Sequence, residues 1–472
     1  MTDEQPSESE TPVSGSEEAE KARTSLEAAI ALQAAPGPER FFGEYAGLLA
    51  EVLREAVTDT LLLARAPGRE LYIYRGGVWK PGGNDAVSAR VVELLADRNR
   101  ATHAKLMVEN IILTTPYAIN DEPHPGWINF RNGMLDWRTG NLHPHNPELM
   151  SINQVPYDWD PNATCPRTDR FMSEVFHADA AALGYEMIGY AMYDGNPLQK
   201  AAMLVGSGAN GKGVFLNLVD AVLGEENVSA VPLQSLTDNR FAAADLYGRL
   251  ANVAGDLSSK PVEDTSAFKM ITGGDLIRAE RKFRDAFTFK AQAFPMFSAN
   301  ELPGSADTST GYLRRWLVVE FPRTFRPEER DAGLSEVLAS ERAGVAGRAV
   351  AALRDVMDRG CFTEVESVIE AQNEMAIALN PIKEFFDDCI EIDPNRITPR
   401  SVIYQAYLVW CARTGRDHPL GERRFWGKFR TEMMSKTGMT VWDKKLERRT
   451  SSDRSISGVC VTDGGGPFGG TS

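Results

Sequence analysis

Gly206-Ser207-Gly208-Ala209-Asn210-Gly211-Lys212-Gly213 decides the reading of this chain. The stretch fits the G-x-x-x-x-G-K pattern of a phosphate-binding loop. An apolar run of strand length, Ala201 to Val205, precedes it. An apolar-rich run of helix length, Val214 to Leu223, follows and closes at Gly224. Strand, glycine loop and helix are the setting that the pattern needs. Glycines let the backbone fold tightly, so that its N–H groups face phosphate oxygens. The helix N-terminus adds positive partial charge. Lys212 supplies a full cation for the β and γ phosphates. The chemistry implied is binding and hydrolysis of a nucleoside triphosphate, with ATP and Mg²⁺ as the expected cofactors.

One position departs from the pattern. The residue after the lysine is ordinarily Ser or Thr, whose hydroxyl binds Mg²⁺. Here it is Gly213, so the metal must be held by a more distant acid, by water and by the phosphates. Gly206, Gly208 and Gly211 also fit the dinucleotide fingerprint G-x-G-x-x-G. That fold needs an acid about 20 positions on, at the end of a second strand. The nearest acids, Glu225 and Glu226, follow Gly224 in a turn, and Lys212 has no part in that scheme.

Residues downstream extend the phosphate loop into a site. Leu250 to Asp256 is an apolar run ending in an acid, and a carboxylate at a strand end can hold Mg²⁺. Ala293 to Asn300 is another apolar strand ending in a polar group. Its amide is placed to polarise the γ phosphate or orient the attacking water. Between the two runs, Arg278, Arg281, Lys282 and Arg284 crowd a short segment. Long basic side chains at a loop tip suit a polyanion backbone. Arg314 and Arg315 stand just before the strand-like Trp316 to Phe321. An arginine there can stabilise phosphoryl transfer from an adjoining subunit, an effect on the order of 10³-fold in rate.

Composition bounds the rest. The 472 residues allow two to four domains, and 43% apolar with 25% charged residues is ordinary for a globular protein. A formal charge of −15 excludes a surface coated everywhere by nucleic acid. The charge is uneven: residues 1–22 carry seven acids and one base, whereas residues 400–449 carry twelve bases and five acids. Five scattered cysteines lack metal-ligand spacing, and an odd count with no signal peptide fits a reducing cytoplasm. No apolar run approaches the length of a membrane span.

Composition shifts divide the chain into a disordered acidic tail (1–22), an α+β N-terminal domain (23–165), an α/β core (166–330), a helical extension (331–380), a basic and aromatic module (381–460) and a flexible tail (461–472). Within the N-terminal domain, Gly76-Gly77 and Asn132-Gly133 mark two hairpin turns. Core strands are expected at Ala201–Val205, Leu250–Ala254, Ala293–Ala299 and Trp316–Phe321.

The ordered set of phosphate loop, strand-end acid, basic segment, strand-end asparagine and paired arginines resembles the superfamily 3 helicases, which are AAA+ ATPases of viruses and plasmids. The likeness is strongest to the phage and plasmid primase-helicases related to poxvirus nucleoside triphosphatases. It extends to Ile128–Asp136, to Pro156–Ala163 and to the segments Lys383–Phe386 and Tyr404–Trp410, and so covers residues 65 to 450. The resemblance implies an AAA+ P-loop core with a C-terminal winged-helix-like module. It implies catalytic roles for Lys212, Asp256 (also the metal ligand), Asn300 and Arg315, with Arg314 the neighbouring alternative to Arg315. It implies DNA contacts from Arg278, Arg281, Lys282 and Arg284, and from Arg423, Arg424 and Lys428 in the module. Single-stranded or forked DNA, a homo-hexameric ring, 3′-to-5′ unwinding and a host-cell cytoplasm follow from the same likeness. A second acid usually adjoins the metal-binding one, but here Gly255 precedes Asp256, which leaves the general base unassigned. Some 65 residues ahead of the matching region are too few for a primase palm, so a separate primase or loading protein is expected. The rival readings are an ATP-switched DNA-binding initiator that does not unwind processively and a metabolic P-loop kinase.

Overall fold

The computed structural model describes residues 37–43, 45–119, 126–239, 241–257, 262, 264–281, 286–300, 305, 307, 309–415, 419–437, 447–449 and 454–462. Both expected tails lie outside these residues apart from 461 and 462, as do Lys282 and Arg284.

The N-terminal part opens with the antiparallel sheet β1 (Leu63–Ala66), β2 (Glu70–Arg75) and β3 (Val78–Pro81), covered by the helices Ala50–Thr58, Gly83–Leu95 and Ala101–Thr114. Gly76 and Gly77 form the two-residue turn between β2 and β3, with φ of 60° and 86°. Positive φ at both positions matches the twist of a hairpin and favours glycine. A second antiparallel sheet follows: β4 (Trp127–Phe130), β5 (Gly133–Asp136) and β6 (Asn141–His143). Phe130 pairs with Gly133, so Arg131-Asn132 make its turn, one residue earlier than the expected Asn132-Gly133. The shift has a steric cause: a Cβ on Gly133 would lie 2.4 Å from the His143 carbonyl oxygen, so the glycine serves strand packing. Asn132 is fixed from outside the hairpin, accepting the Trp159 N–H at 2.9 Å and donating to the Trp159 carbonyl at 3.0 Å.

The core is a parallel sheet of β7 (Ala201–Val205), β8 (Val228–Ser229), β9 (Ala251–Ala254), β12 (Phe294–Ala299) and β13 (Trp316–Glu320), in the order β13-β7-β12-β9-β8. A separate antiparallel hairpin, β10 (Leu276–Ala279) and β11 (Phe287–Lys290), leaves it between β9 and β12. Every β7 side chain except Val205 is fully buried, because helices cover both faces. Ala202 and Leu204 face one layer with Phe294, Met296, Leu317 and Val319. Ala201 and Met203 face the other with Phe297, Ala299, Trp316 and Val318. Two-sided burial explains why these strands read as unbroken apolar runs.

The first layer contains the helices Pro166–Val175, Ala181–Met192, Lys212–Leu223 and Arg342–Arg359. It also contains Ile128, Phe130 and Leu135 from the second small sheet and Trp137 from the turn after β5, so one apolar core runs across the seam expected near 165. Beyond the helix Glu366–Leu379, a C-terminal unit packs three helices, Pro381–Cys389, Arg400–Arg413 and Glu422–Thr437, on the sheet β14 (Ile390–Pro399), β15 (Glu447–Arg449) and β16 (Arg454–Val461). Phe385, Tyr407, Trp410, Phe425 and Trp426 form its aromatic centre. Trp426, 3% exposed, belongs to this core.

Candidate nucleotide site

Parallel strands point their carboxyl ends the same way, and open α/β sheets bind ligands there. The ends of β7, β9 and β12 carry the phosphate loop, Asp256 and Asn300. The loop bends through Gly208, Ala209 and Gly211 with φ of 101°, 48° and 92°. Gly211 is the N-cap of the helix Lys212–Leu223, which opens beneath the loop. Close approach makes two glycines necessary. A Cβ on Gly206 would lie 2.1 Å from Asn210 Nδ2, and one on Gly211 would lie 2.7 Å from Val175 Cγ1.

Lys212 is only 5% exposed. Its Nζ donates to the Gly206 carbonyl at 2.5 Å, to Asn210 Oδ1 at 3.3 Å and to Asn300 Oδ1 at 3.4 Å. Burial pushes its ammonium below the ordinary lysine range, and the carboxylate of Asp256 opposes that shift. The structure thus brings three of the four expected catalytic residues together. Asp256 has φ 48°, an unusual conformation for a side-chain-bearing residue, costing about 1 kcal/mol or more. Its N–H donates to Ser298 Oγ at 3.3 Å, and the next N–H, of Leu257, donates to the Ser298 carbonyl at 2.9 Å. Ser298, buried within β12, is a positioning residue that motif reading passes over because it sits inside an apolar run.

Among the described residues no three His, Cys, Asp or Glu side chains gather as a metal cluster. Mg²⁺ does not require one, since it keeps several waters and takes one or two carboxylates plus substrate phosphates. Asp256 beside the loop fits that demand. A Cβ on Gly213 would meet nothing within 4 Å, so the missing hydroxyl does not reflect crowding.

A cavity of about 420 Å³ adjoins the loop on its other side, lined in part by Phe171, Ala209, Val214, Phe325 and Leu334. Apolar walls with two phenyl rings suit a nucleobase. The rim is a network of arginines and glutamates: Arg170 to Glu174 at 2.7 Å, Arg323 to Glu329 at 3.2 Å, and Arg323 over the Phe325 ring at 4.4 Å. Phe171 and Phe325 come from segments far apart in sequence, and no motif announces them.

Arg315 lies elsewhere. It precedes β13 at the end of the sheet opposite the loop, because Trp316 pairs with Ala201 whereas Glu320 pairs with Val205. Four residue steps at about 3.3 Å separate these levels, roughly 13 Å. Its Nε donates to Thr272 Oγ1 at 2.9 Å and a terminal nitrogen donates to the Gly311 carbonyl. Arg314 instead bonds Gln199 Oε1 at 2.7 Å.

The expected DNA-contacting residues divide. Arg278 on β10, and Arg423 and Arg424 on the helix Glu422–Thr437, are exposed. Arg281 is half-buried, 3.5 Å from Glu70 and stacked near the Phe287 ring at 5.0 Å. Lys428 turns inward: its Nζ donates to the Leu379 carbonyl at 2.9 Å, and burial pushes its ammonium down. It satisfies a helix end and is not presented to a strand.

Three family models match parts of the chain: "D5 N terminal like" over residues 50–177, a family of unknown function (DUF5906) over 204–315, and "Poxvirus D5 protein-like" over 379–462. A protein of Acanthamoeba polyphaga mimivirus named "Putative helicase L207/L206" is 24% identical over 260 residues, covering 51% of this chain and 26% of the relative. The chain thus spans about a quarter of that relative's length. Two apo structures of the NrS-1 C-terminal region share the fold. One has a TM-score of 0.52 at 14% identity, over 87% of this chain and 99% of the other. The second has a TM-score of 0.50 at 14% identity, over 87% and 98%. The named matches are thus to D5-like and poxvirus D5-like family models and to a viral protein named a putative helicase, each over part of the chain. No described helix is long and apolar enough to cross a membrane.

Proposed function

We propose that the chain is an ATP-hydrolysing DNA helicase subunit acting in the replication of a phage or mobile element. The observation that carries this reading is the convergence of Lys212, Asp256 and Asn300 at adjoining strand ends around a glycine loop. Lys212 would bind the β and γ phosphates, Asp256 would hold Mg²⁺, and the Asn300 amide would orient the attacking water. Bound Mg²⁺ neutralises phosphate charge. The cavity beside Phe171 and Phe325 would take the base.

The placement of Arg315 supports an AAA+ ring. About 13 Å along the strand direction separates its level from the loop of its own subunit, so the nucleotide it serves would be a neighbour's. A hexamer and 3′-to-5′ translocation rest on likeness to superfamily 3. The exposed Arg278, Arg423 and Arg424 would contact phosphates without reading sequence. The order helix, strand, helix, helix, strand, strand in the C-terminal unit supports its reading as a winged-helix-like module.

The test is ATP hydrolysis with and without single-stranded DNA, followed by unwinding of a forked duplex. Hydrolysis stimulated by DNA, with strand separation, is the expected result. ATP-dependent binding without separation would favour the initiator reading. Hydrolysis indifferent to DNA would refute both.

A further inference from the structure

Arg315 is held by neutral oxygens from two segments. Its Nε donates to Thr272 Oγ1 at 2.9 Å, across 43 residues of sequence, and a terminal nitrogen donates to the Gly311 carbonyl. Those bonds use two of the five N–H groups of a guanidinium. Among the described residues the second terminal nitrogen has no hydrogen bond, and no carboxylate lies within ion-pair distance of the side chain. Thr272 is fully buried. Its hydroxyl hydrogen is committed to the Phe268 carbonyl at 2.7 Å, so its oxygen meets Arg315 as an acceptor. A buried threonine in a helix is satisfied by that bond to its own preceding turn, and the bond to Arg315 is additional. The Phe268 ring in turn stacks on Trp316, the residue after Arg315, with centroids 4.5 Å apart and planes 15° apart. One turn of the helix Ser266–Gly273 therefore fixes both the backbone beside Arg315 and the direction of its guanidinium.

We propose that Thr272 is the positioning residue for Arg315: its hydroxyl holds Nε so that the unengaged terminal nitrogen is offered to the triphosphate bound by a neighbouring subunit. The assignment rests on the reading above of Arg315 as an arginine that acts across an interface. An untethered arginine samples many rotamers, whereas one fixed before the nucleotide arrives needs no reordering in the transition state. Neutral acceptors suit this task. A carboxylate on the guanidinium would compete with phosphate for its charge, while a hydroxyl and a carbonyl orient it and leave the charge uncompensated. Thr272, being fully buried, would meet no part of the nucleotide, so its loss is read in turnover and not in ATP affinity.

The experiment uses the full chain, with hydrolysis measured over an ATP series in the presence of Mg²⁺ and oligo-dT. Thr272→Val keeps the side-chain shape and removes the acceptor; it should lower kcat about tenfold and leave KM for ATP within about twofold. Thr272→Ser restores the hydroxyl and should stay within about twofold of the wild-type kcat. Thr272→Ala removes the same hydroxyl without adding a methyl and should show the same defect, which serves where Thr272→Val does not fold. Thr272→Val combined with Arg315→Ala should be no slower than Arg315→Ala alone, because the hydroxyl acts only through the arginine. Mixed with Lys212→Ala subunits, Thr272→Val should regain hydrolysis; mixed with Arg315→Ala subunits it should gain nothing. Wild-type kcat in Thr272→Val, an equal loss in Thr272→Ser, a further loss in the double variant or equal behaviour in the two mixtures overturns the positioning role. Wild-type turnover in Arg315→Ala would bring down the interface reading itself, whereas an impaired Arg315→Ala beside an unimpaired Thr272→Val would overturn the role of Thr272 alone.

Discussion

Two glycines in one loop should respond oppositely to substitution. A Cβ on Gly206 would sit 2.1 Å from Asn210 Nδ2 and 2.8 Å from the Phe321 carbonyl oxygen, both impossible contacts. Asn210 is 2% exposed and has no free space to enter. Overpacking of this kind costs about 1–3 kcal/mol. Displacing Asn210 also loses its long bonds to Lys212 Nζ and the Phe321 carbonyl, together about 1 kcal/mol. Gly206→Ala should therefore deform the cradle by about 3 kcal/mol and lower kcat/KM for ATP about 100-fold. Gly213→Thr adds its side chain into open space and restores the hydroxyl that a Mg²⁺ ion ordinarily takes. A gain of about 1.4 kcal/mol would lower the Mg²⁺ concentration for half-maximal hydrolysis about tenfold, since each such step is a factor of ten. Phosphate release measured over a Mg²⁺ titration reads both variants. Wild-type turnover in Gly206→Ala, or slower turnover of Gly213→Thr at every Mg²⁺ concentration, would refute the geometry.

Arg315→Ala should lower hydrolysis about 10³-fold while leaving nucleotide affinity near normal. Mixed with Lys212→Ala subunits it should regain activity, because some interfaces then pair an intact loop with an intact arginine; a mixture that stays inactive refutes action between subunits. Asp220 is largely buried, its Oδ1 lacks a hydrogen-bond partner, and burial followed by the Glu225 charge raises its carboxyl pKa from 3.8 to about 6. The folded state then holds the proton more tightly than the unfolded chain, so stability falls as pH rises from about 4 through about 6. After discounting for partial exposure the loss is about 1 kcal/mol, and Asp220→Asn should raise Tm at pH 7.5 but not at pH 4. An equal gain at both pH values would count against the assignment. Glu186 is 4% exposed and accepts from Arg359 at 3.0 Å, from the Thr363 N–H at 2.9 Å and from the Thr363 hydroxyl. Glu186→Ala should cost about 2–4 kcal/mol in denaturant unfolding, since it orphans groups that the carboxylate joins; a change below about 0.5 kcal/mol would show that those bonds add nothing.

Strands buried on both faces carry a plain signature, and β7, β9, β12 and β13 were legible for that reason. Asp256 and Asn300 were legible because each ends such a run. β8 was not: Val228-Ser229 is too short for a pattern and is held instead by tertiary bonds, Asn252 Oδ1 accepting from Ser229 Oγ at 2.9 Å and from the Val231 N–H at 2.8 Å. The cavity walls Phe171 and Phe325 were hidden for a related reason, since packing and not spacing brings them to the loop. Lys428 and Arg281 show the limit of reading charge from sequence. A basic run predicts cations, but only the fold decides which of them meet solvent and which meet Leu379 or Glu70.

The partners of Lys212 set how readily a phosphate could replace them. No ion pair joins it to Asp256 among the described residues; its partners are the neutral oxygens of Gly206, Asn210 and Asn300. A direct Lys–Asp pair at 4 Å would be worth up to about 4 kcal/mol near a protein surface, and an incoming triphosphate would have to break it. A neutral hydrogen bond contributes only about 1 kcal/mol net, and the phosphate oxygens replace it with a charged one. Keeping the two charges apart also leaves the Asp256 carboxylate available to a cation. Burial lowers the lysine's proton affinity, and the Asp256 carboxylate partly opposes that shift. The loop therefore keeps the Lys212 ammonium buried and held only by neutral oxygens.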